Sequence, residues 1–316
     1  MPSRMTETTL FSGKKENKKL FAAVAVWLKR PALRPKLLVV LGPTASGKTR
    51  LAIQLARQFN GEIVNADSRQ IYRELKIGTA RPTPAERRQA KHFLLARFSP
   101  QKVVSVAEYR ELAEAEIQAI TQRRCLPILA GGHSLLLSAL VENYQFPQPA
   151  DPDWHTRFDT LYTQKNGPEK LWRQLQKLEA ELAAKISPRN KVHLARALER
   201  AVKKRRPQKA ARKFEVFLIG LNPKRAELYA KIEQRVEAML QQGFLAEVRS
   251  LAQKYPRFCP ALRGHGYREL LDYLAGEKDL KTAVAEIKRD TRNYAKRQIS
   301  WWRNSPLFKE IFWLEN

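Results

Sequence analysis

The sequence predicts an α/β protein: a P-loop NTPase-like parallel sheet core with an inserted helical subdomain and a C-terminal helical region. Three observations carry this expectation. A continuous apolar run, Lys36 to Leu41, passes through a glycine-rich turn into a helical pattern from Lys48 to Phe59, which is the strand, loop and helix order of a phosphate-binding loop. Apolar and helical stretches then alternate as far as Gly131-Gly132, as they do in a parallel sheet covered by helices. Between Pro147 and Arg212 the alternation stops and helical patterns follow one another.

Residues 1–35 hold one apolar run, Leu20 to Leu28, flanked by Lys18-Lys19 and Lys29-Arg30. It is far shorter than the ~20 residues of a spanning helix, and it would suit a signal-peptide core. The chemistry found further along needs cytoplasmic substrates, so a short helical or loose basic extension is expected, on a soluble chain with no membrane contact. The first part of the core, 36–146, continues with a strand at Glu62 to Asn65, a helix at Ser105 to Arg124 and a buried strand at Leu126 to Ala130. Pro147, Pro149 and Pro152 mark the start of the insertion, 147–212, with helices at Leu171 to Lys185 and Val192 to Lys203. The strand pattern returns once, at Phe214 to Leu221, within a closing segment, 213–316. Helices at Lys224 to Gln242, Leu245 to Lys254, Tyr267 to Leu274 and Leu280 to Trp302 complete it.

The length of 316 residues suits two domains, and a hydrophobic fraction of 43% excludes a disordered basic tail. Lys and Arg number 59 against 31 Asp and Glu, a formal charge of +28, and such a field draws polyanions. Cys125 and Cys259 stand far apart without CxxC spacing, so neither a disulfide framework nor a zinc site is expected. Residues 185–213 carry twelve Lys or Arg and one acid, Glu199; a run such as Lys203-Lys204-Arg205-Arg206 is by default a solvated face. On the terminal helix Lys281, Lys288, Arg292, Lys296 and Arg303 fall within an arc of roughly 80°. Leu280, Val284, Ile287, Tyr294 and Trp302 lie opposite, so the helix reads as a phosphate-facing stripe backed by a core-facing one.

Gly42-Pro43-Thr44-Ala45-Ser46-Gly47-Lys48-Thr49 is a complete GxxxxGK[ST] loop. Its backbone N–H groups can turn inward around phosphate oxygens at a helix N-terminus. Lys48 adds a point charge and Thr49 a hydroxyl for Mg²⁺. No second magnesium-binding Asp follows Leu126 to Ala130, which runs into Gly131-Gly132-His133, so no triphosphate-hydrolysing machinery is evident. Asp67, the first acid beyond the second strand, should emerge at the carboxyl edge beside the loop. It could bind magnesium through water, act as a general base, or cap a helix begun at Asp67-Ser68.

These motifs resemble the tRNA dimethylallyltransferase family, also called tRNA isopentenyltransferases. Beside the phosphate loop the resemblance rests on Ala66 to Tyr72, Ile77 to Pro82, Pro127 to Gly132, Arg196 to Glu199, Ile232 to Arg235, Gly266 to Glu269 and Thr291 to Trp302, in family order. The block Ala295 to Trp301 is the most specific. The resemblance implies transfer of a dimethylallyl group from dimethylallyl diphosphate to the exocyclic amine of the adenosine just 3′ of the anticodon. The tRNAs implied are those reading codons that begin with U. Gly42 to Thr49 would then hold the donor's diphosphate with Mg²⁺ at Thr49, Asp67 would take the amine proton, and Arg235 would stand at the active site. Arg235 also falls beside Leu228 on an apolar helix face, and an inward guanidinium requires an anion, whether substrate or an internal carboxylate.

Further implied is tRNA contact, through the anticodon stem-loop, at Asp67, Ser68, Arg69 and Gln70, at Val192, His193, Leu194, Ala195 and Arg196, and at Arg263, Gly264, His265, Gly266, Tyr267 and Arg268. The last segment is Lys296, Arg297, Gln298, Ile299, Ser300, Trp301, Trp302 and Arg303; Trp302 is expected in the core. An adenine stacked in its loop must be flipped out to reach a buried donor. The chain departs from the family at His133, where a Thr usually follows the two glycines, and at His155, which takes the place of a tRNA-contacting Arg. Asn190 and His193 replace the family's Asp and Arg, His265 an aliphatic residue and Lys231 an Arg. A monomer acting in the cytoplasm is expected. Two rivals remain at this point: a P-loop kinase of a small molecule or nucleoside, and a tRNA-binding relative that has lost prenyl transfer.

Overall fold

A strand buried on both faces has apolar residues at every position, and Leu37 to Leu41 are completely inaccessible. The computed structural model describes residues 14–146, 152–202 and 208–315. Its strands are β1 (Lys36–Leu41), β2 (Gly61–Ala66), β3 (His92–Phe93), β4 (Leu126–Gly131), β5 (Tyr144–Gln145), β6 (Gln208–Lys209), β7 (Glu215–Asn222) and β8 (Ile311–Glu315). Six form one parallel sheet in the order β3-β2-β4-β1-β7-β8. The chain divides into two compact units, 1–142 with 212–316, and 143–211.

Strand side chains alternate between faces. Leu37, Val39 and Leu41 join Val64 and Leu129 against Tyr109, Ala113 and Ile117 of the helix Val106–Gln122 and against the C-terminal helices. Leu38 and Val40 join Ile63 and Ile128 against Leu51 and Leu55 of the phosphate-loop helix, Lys48–Gln58. That second face is completed by the N-terminal segment. Lys14–Lys29 is a helix whose Leu20, Val24 and Trp27 are buried in the same cluster, so this part of the expected extension belongs to the core. Lys36 Nζ closes the helix by donating to the carbonyls of Trp27 (3.0 Å) and Leu28 (2.7 Å). No helix among the described residues is long and apolar enough to cross a membrane.

Besides the two-residue strands β5 and β6, two strands of the large sheet escaped the sequence reading. β3 is too short to show a period, and β8 follows a single 3₁₀ turn, Pro306–Glu310, after the long helix Leu280–Arg303. β8 is nonetheless paired along its length, from Leu218↔Ile311 to Asn222↔Glu315. The helix expected after Asp67-Ser68 is absent; the segment is a turn. The basic stripe of the terminal helix is also partly spent internally. Lys288 pairs with Glu237 (2.5 Å) and Arg292 with Glu233 (2.7 Å), because the helix Arg225–Gln241 presents its acids to that side.

In the second unit Phe158, Leu171, Leu175, Leu194 and Leu198 form a separate core from helices Pro152–Thr163, Gly167–Leu178, Ala180–Ala183 and Lys191–Val202. The continuous helix expected from Leu171 to Lys185 breaks at Glu179, where φ is −145°. The Trp172 indole N–H donates to the carbonyls of Ala183 (3.0 Å) and Ile186 (2.8 Å), which folds the second segment back onto the first. Pro147 and Pro149 and the run Lys203 to Arg206 lie outside the described residues.

One glycine fixes how closely the strands bearing the site approach. A Cβ on Gly131 would lie 2.0 Å from the Ala66 carbonyl oxygen, so any side chain there must part β2 from β4. Gly131→Ala is expected to cost ~1–3 kcal/mol or more, as overpacking does. The check is a lower denaturation midpoint at unchanged slope; an unshifted midpoint would show that the strand ends separate freely.

Candidate active site

In a parallel sheet the segments that follow neighbouring strands leave from one edge. The register sets Gly131 beside both Leu41 and Ala66. The phosphate loop, Asp67 and Gly132-His133 therefore emerge side by side. Thr44 to Arg50, Asp67 and Gly132 border a cavity of about 570 Å³, whose lining also includes Gln70, Thr79, Ala80, Lys231, Arg235, Tyr294 and Gln298.

The loop takes its turn through left-handed conformations at Ala45 (φ 63°) and Gly47 (φ 90°), and Gly47 precedes the helix directly. Gly42 and Pro43 are buried, Thr44, Gly47, Lys48 and Thr49 half-buried. The buried Ser46 hydroxyl has no hydrogen-bond partner, a polar atom that an anion in the cradle would satisfy. Lys48 Nζ folds back onto the Pro43 carbonyl. Burial pushes the Lys48 ammonium down to about 7, Arg235 acts in the same direction, and Asp67 opposes both. Lys48, Arg50, Lys231 and Arg235 line the cavity against two carboxylates, Asp67 and Glu86, a balance that favours an anion such as a diphosphate.

Arg235 sits on the helix Arg225–Gln241, whose Leu228, Ile232 and Val236 are buried. Its guanidinium is pushed below its ordinary value by burial, with Glu86 and Asp67 pulling it back. Neither carboxylate is close enough for a salt bridge, and among the described residues Arg235 has none. Of the two readings open in the sequence, an internal ion pair is thus not the one formed.

Asp67 Oδ1 accepts from the backbone N–H groups of Arg69 (2.8 Å) and Gln70 (3.3 Å). It caps a turn, and Oδ2 makes no hydrogen bond among the described residues. One oxygen is fixed and the other is free, the arrangement of an oriented base. Tyr294 faces the same carboxylate: burial and Asp67 together push its phenol up to about 12. His133 caps the helix Ser134–Val141, its Nδ1 accepting from Leu136 N–H at 3.3 Å. Burial lowers its pKa, with Asp67 opposing that shift.

The family-matched RNA positions separate by exposure. Arg263, Arg268, Lys296, Arg297, Ser300, Trp301 and Arg303 are exposed, Ser68, Gly264, His265 and Ile299 half-buried. Arg69 is committed to the carbonyls of Pro260 (2.6 Å) and Ala261 (3.1 Å). Gly266, Tyr267, Gln298 and Trp302 are buried. Gln298 is tied down at both ends: Oε1 accepts from Thr44 N–H (2.9 Å) and Nε2 donates to the Gly132 carbonyl (2.7 Å). It is a strut between the terminal helix and two site loops, a role the motif alone did not reveal. In the second unit His193 and Arg196 are exposed, Leu194 and Ala195 buried; the side chains of His155 and Val192 lie outside the description. His265, Glu269 and Asp290 group their ligand atoms within 4.8 Å. Arg268 bridges both carboxylates (2.5 and 3.1 Å) and Arg289 holds Asp290 (2.9 Å), so the cluster is an ion-pair network already neutralised.

Known proteins resemble this chain in sequence and in fold. The family model described as IPP transferase matches residues 70–305. The tRNA dimethylallyltransferase of Levilactobacillus brevis is 42% identical over 85% of this chain and 89% of its own. The crystal structure of the full-length tRNA isopentenylpyrophosphate transferase from Bacillus halodurans superposes with a TM-score of 0.68 at 34% identity, covering 89% of this chain and 90% of that one. A eukaryotic dimethylallyltransferase captured acting on tRNA reaches a TM-score of 0.76 at 25% identity, over 89% of this chain and 74% of that one. Matched by the family model over residues 70–305 and by a relative 42% identical over 85% of its length, this chain belongs to the IPP transferase family, whose members include the tRNA dimethylallyltransferases.

Proposed function

We propose that the protein transfers a dimethylallyl group from dimethylallyl diphosphate to the exocyclic amine of the adenosine 3′ of the anticodon, in tRNAs reading codons that begin with U. The observation that carries this is a phosphate loop opening onto a cavity that also holds a carboxylate with one free oxygen and a buried, unpaired guanidinium. A kinase could also use a carboxylate and a guanidinium on its acceptor and phosphates; the IPP transferase family match over residues 70–305 favours prenyl transfer.

In this reading Gly42 to Thr49 cradle the diphosphate through backbone N–H groups, Lys48 and the Ser46 hydroxyl. The donor's C1–O bond breaks, its electrons leave with diphosphate, and the amine nitrogen bonds to C1. Asp67 Oδ2 receives the proton that the nitrogen loses. Lys48 and Arg235 meet the charge that develops on the departing oxygen, where preorganised cations act most strongly. The Thr49 hydroxyl and the Asp67 carboxylate are hard oxygen donors on the cavity wall, the kind of set that Mg²⁺ takes alongside phosphate oxygens; when bound the ion would neutralise diphosphate charge. All of these residues come from one unit of one chain, so the reading needs no second copy and is met by a monomer in the cytoplasm.

The exposed cations Arg263, Arg268, Lys296, Arg297 and Arg303, with Trp301 as a stacking surface, supply the contacts to RNA backbone and loop. The second unit carries exposed His193 and Arg196 of its own. The test incubates the protein with dimethylallyl diphosphate, Mg²⁺ and unmodified tRNA and analyses nucleosides by mass. Prenylated adenosine at that position from wild type is expected; salt-sensitive tRNA binding without product would instead identify a relative that has lost transfer, and consumption of ATP a kinase.

A further inference from the structure

Part of the cavity wall is a short irregular segment, and its shape is set by contacts behind it. Thr79, Ala80 and Pro82 line the cavity, and Ala80 is held in a left-handed conformation (φ 48°). Segments of this kind need their backbone polar groups satisfied and gain little from helix or sheet. On the inner side Gln70 Nε2 donates to the Thr79 carbonyl (2.9 Å). On the outer side the three successive N–H groups of Lys76 (3.1 Å), Ile77 (2.8 Å) and Gly78 (3.2 Å) converge on one carboxylate, Glu247. The Tyr267 hydroxyl donates to the same carboxylate at 2.7 Å. The Tyr267 ring is buried, and a Cβ on Gly78 would lie 2.2 Å from Phe244 and 2.7 Å from Tyr267. The segment is therefore pressed onto Phe244 and Tyr267 at the same point where Glu247 gathers its amides.

We propose that Glu247 is a positioning residue for the prenyl donor: by clamping the amides of residues 76–78 it sets the wall formed by Thr79, Ala80 and Pro82, against which the donor's hydrocarbon chain packs. The diphosphate is already provided for by the loop that borders the same cavity, and the methyl of Ala80 and the ring of Pro82 offer surface to a hydrocarbon. Glu247 touches neither substrate. It acts through the backbone it holds, as groups behind a site do when they fix reacting geometry. The inference rests on the proposed reaction for the nature of the donor, while the clamp itself is open to a separate measurement.

Glu247→Ala leaves three N–H groups and a phenol without their shared acceptor; Glu247→Gln keeps an acceptor but removes the charge; Tyr267→Phe removes one of the four bonds. The experiment measures binding of dimethylallyl diphosphate in the absence of tRNA, binding of inorganic pyrophosphate, and amide hydrogen exchange at residues 76–80. Glu247→Ala is expected to weaken the prenyl donor about tenfold or more, the scale of a lost charge-assisted hydrogen bond. Pyrophosphate affinity should stay within about twofold, a span too small to involve such a bond, and exchange at 76–78 should accelerate. Glu247→Gln and Tyr267→Phe should fall between that variant and wild type, and they carry the test should Glu247→Ala not fold. Donor and pyrophosphate weakened equally, or exchange unchanged, would overturn the positioning role. Wild type that binds pyrophosphate but gains nothing from the prenyl chain would overturn the reading of the donor, whereas faster exchange in the variants would still show the clamp.

Discussion

Asp67→Asn is expected to slow prenyl transfer by ~10²–10⁴-fold, the contribution of a positioned general base, while tRNA binding and the fold persist. The substitution is chosen for its geometry. The side-chain amide retains an oxygen that can accept from the N–H groups of Arg69 and Gln70, as Oδ1 does now, so the turn survives. What disappears is an oxygen able to take a proton, on a side chain that lines the cavity and whose Oδ2 has no hydrogen-bond partner among the described residues. Single-turnover transfer at saturating donor and tRNA isolates the chemical step from binding. A rate within tenfold of wild type would remove Asp67 from the role of base and leave it as a cap on its turn. Salt-dependent tRNA affinity, measured on the same variant, should be unchanged, since the exposed cations that carry it are untouched.

The phosphate loop was legible because its spacing, its glycines and the strand before it state one mechanism together, and the structure adds only the φ values. The position of Asp67 was legible from parallel-sheet logic alone, but not its hydrogen bonds: position left base, magnesium ligand and helix cap open, and the turn excludes only the last form of it. Arg235 could be read as turned inward, whereas its lack of an internal carboxylate depends on distances between separate elements. Glu247 carried no sequence signal at all, since a glutamate on an amphipathic helix is ordinarily solvated and its partners lie 169 to 171 residues away. The same limit explains the terminal helix. Periodicity found the stripe holding Lys288 and Arg292 but not the neighbouring helix whose Glu237 and Glu233 neutralise them. The strand β8 was missed because five residues beyond a long helix give no alternation to recognise, although its partner strand was found.

Donor binding is expected to take up a proton through Lys48, and the uptake should depend on pH with a definite sign. Enclosed beside Arg235, the Lys48 ammonium is pushed down to about 7, far below an ordinary lysine. A diphosphate in the cradle adds negative charge next to it and relieves Arg235's repulsion, so binding returns the ammonium toward its usual range. Below about pH 6 the free protein already carries the proton and binding takes up almost none; above about pH 8 the free amine is mostly neutral and uptake approaches one proton. Affinity for the donor must then fall as pH rises through 7, approaching a tenfold loss per pH unit until the bound-state pKa is reached. Calorimetry in buffers of different ionisation enthalpy reads the uptake directly, and Lys48→Met subtracts the protons that belong to the diphosphate itself. The same variant should transfer the prenyl group ~10²–10³-fold more slowly, having lost a cation aimed at the leaving oxygen. Arg235→Gln offers a second check, because removing the neighbouring charge raises the Lys48 pKa in the free protein and moves the window of uptake to higher pH. Uptake that is equal in wild type and Lys48→Met would place Lys48 outside the cradle, and a window that does not move in Arg235→Gln would show that burial alone depresses it.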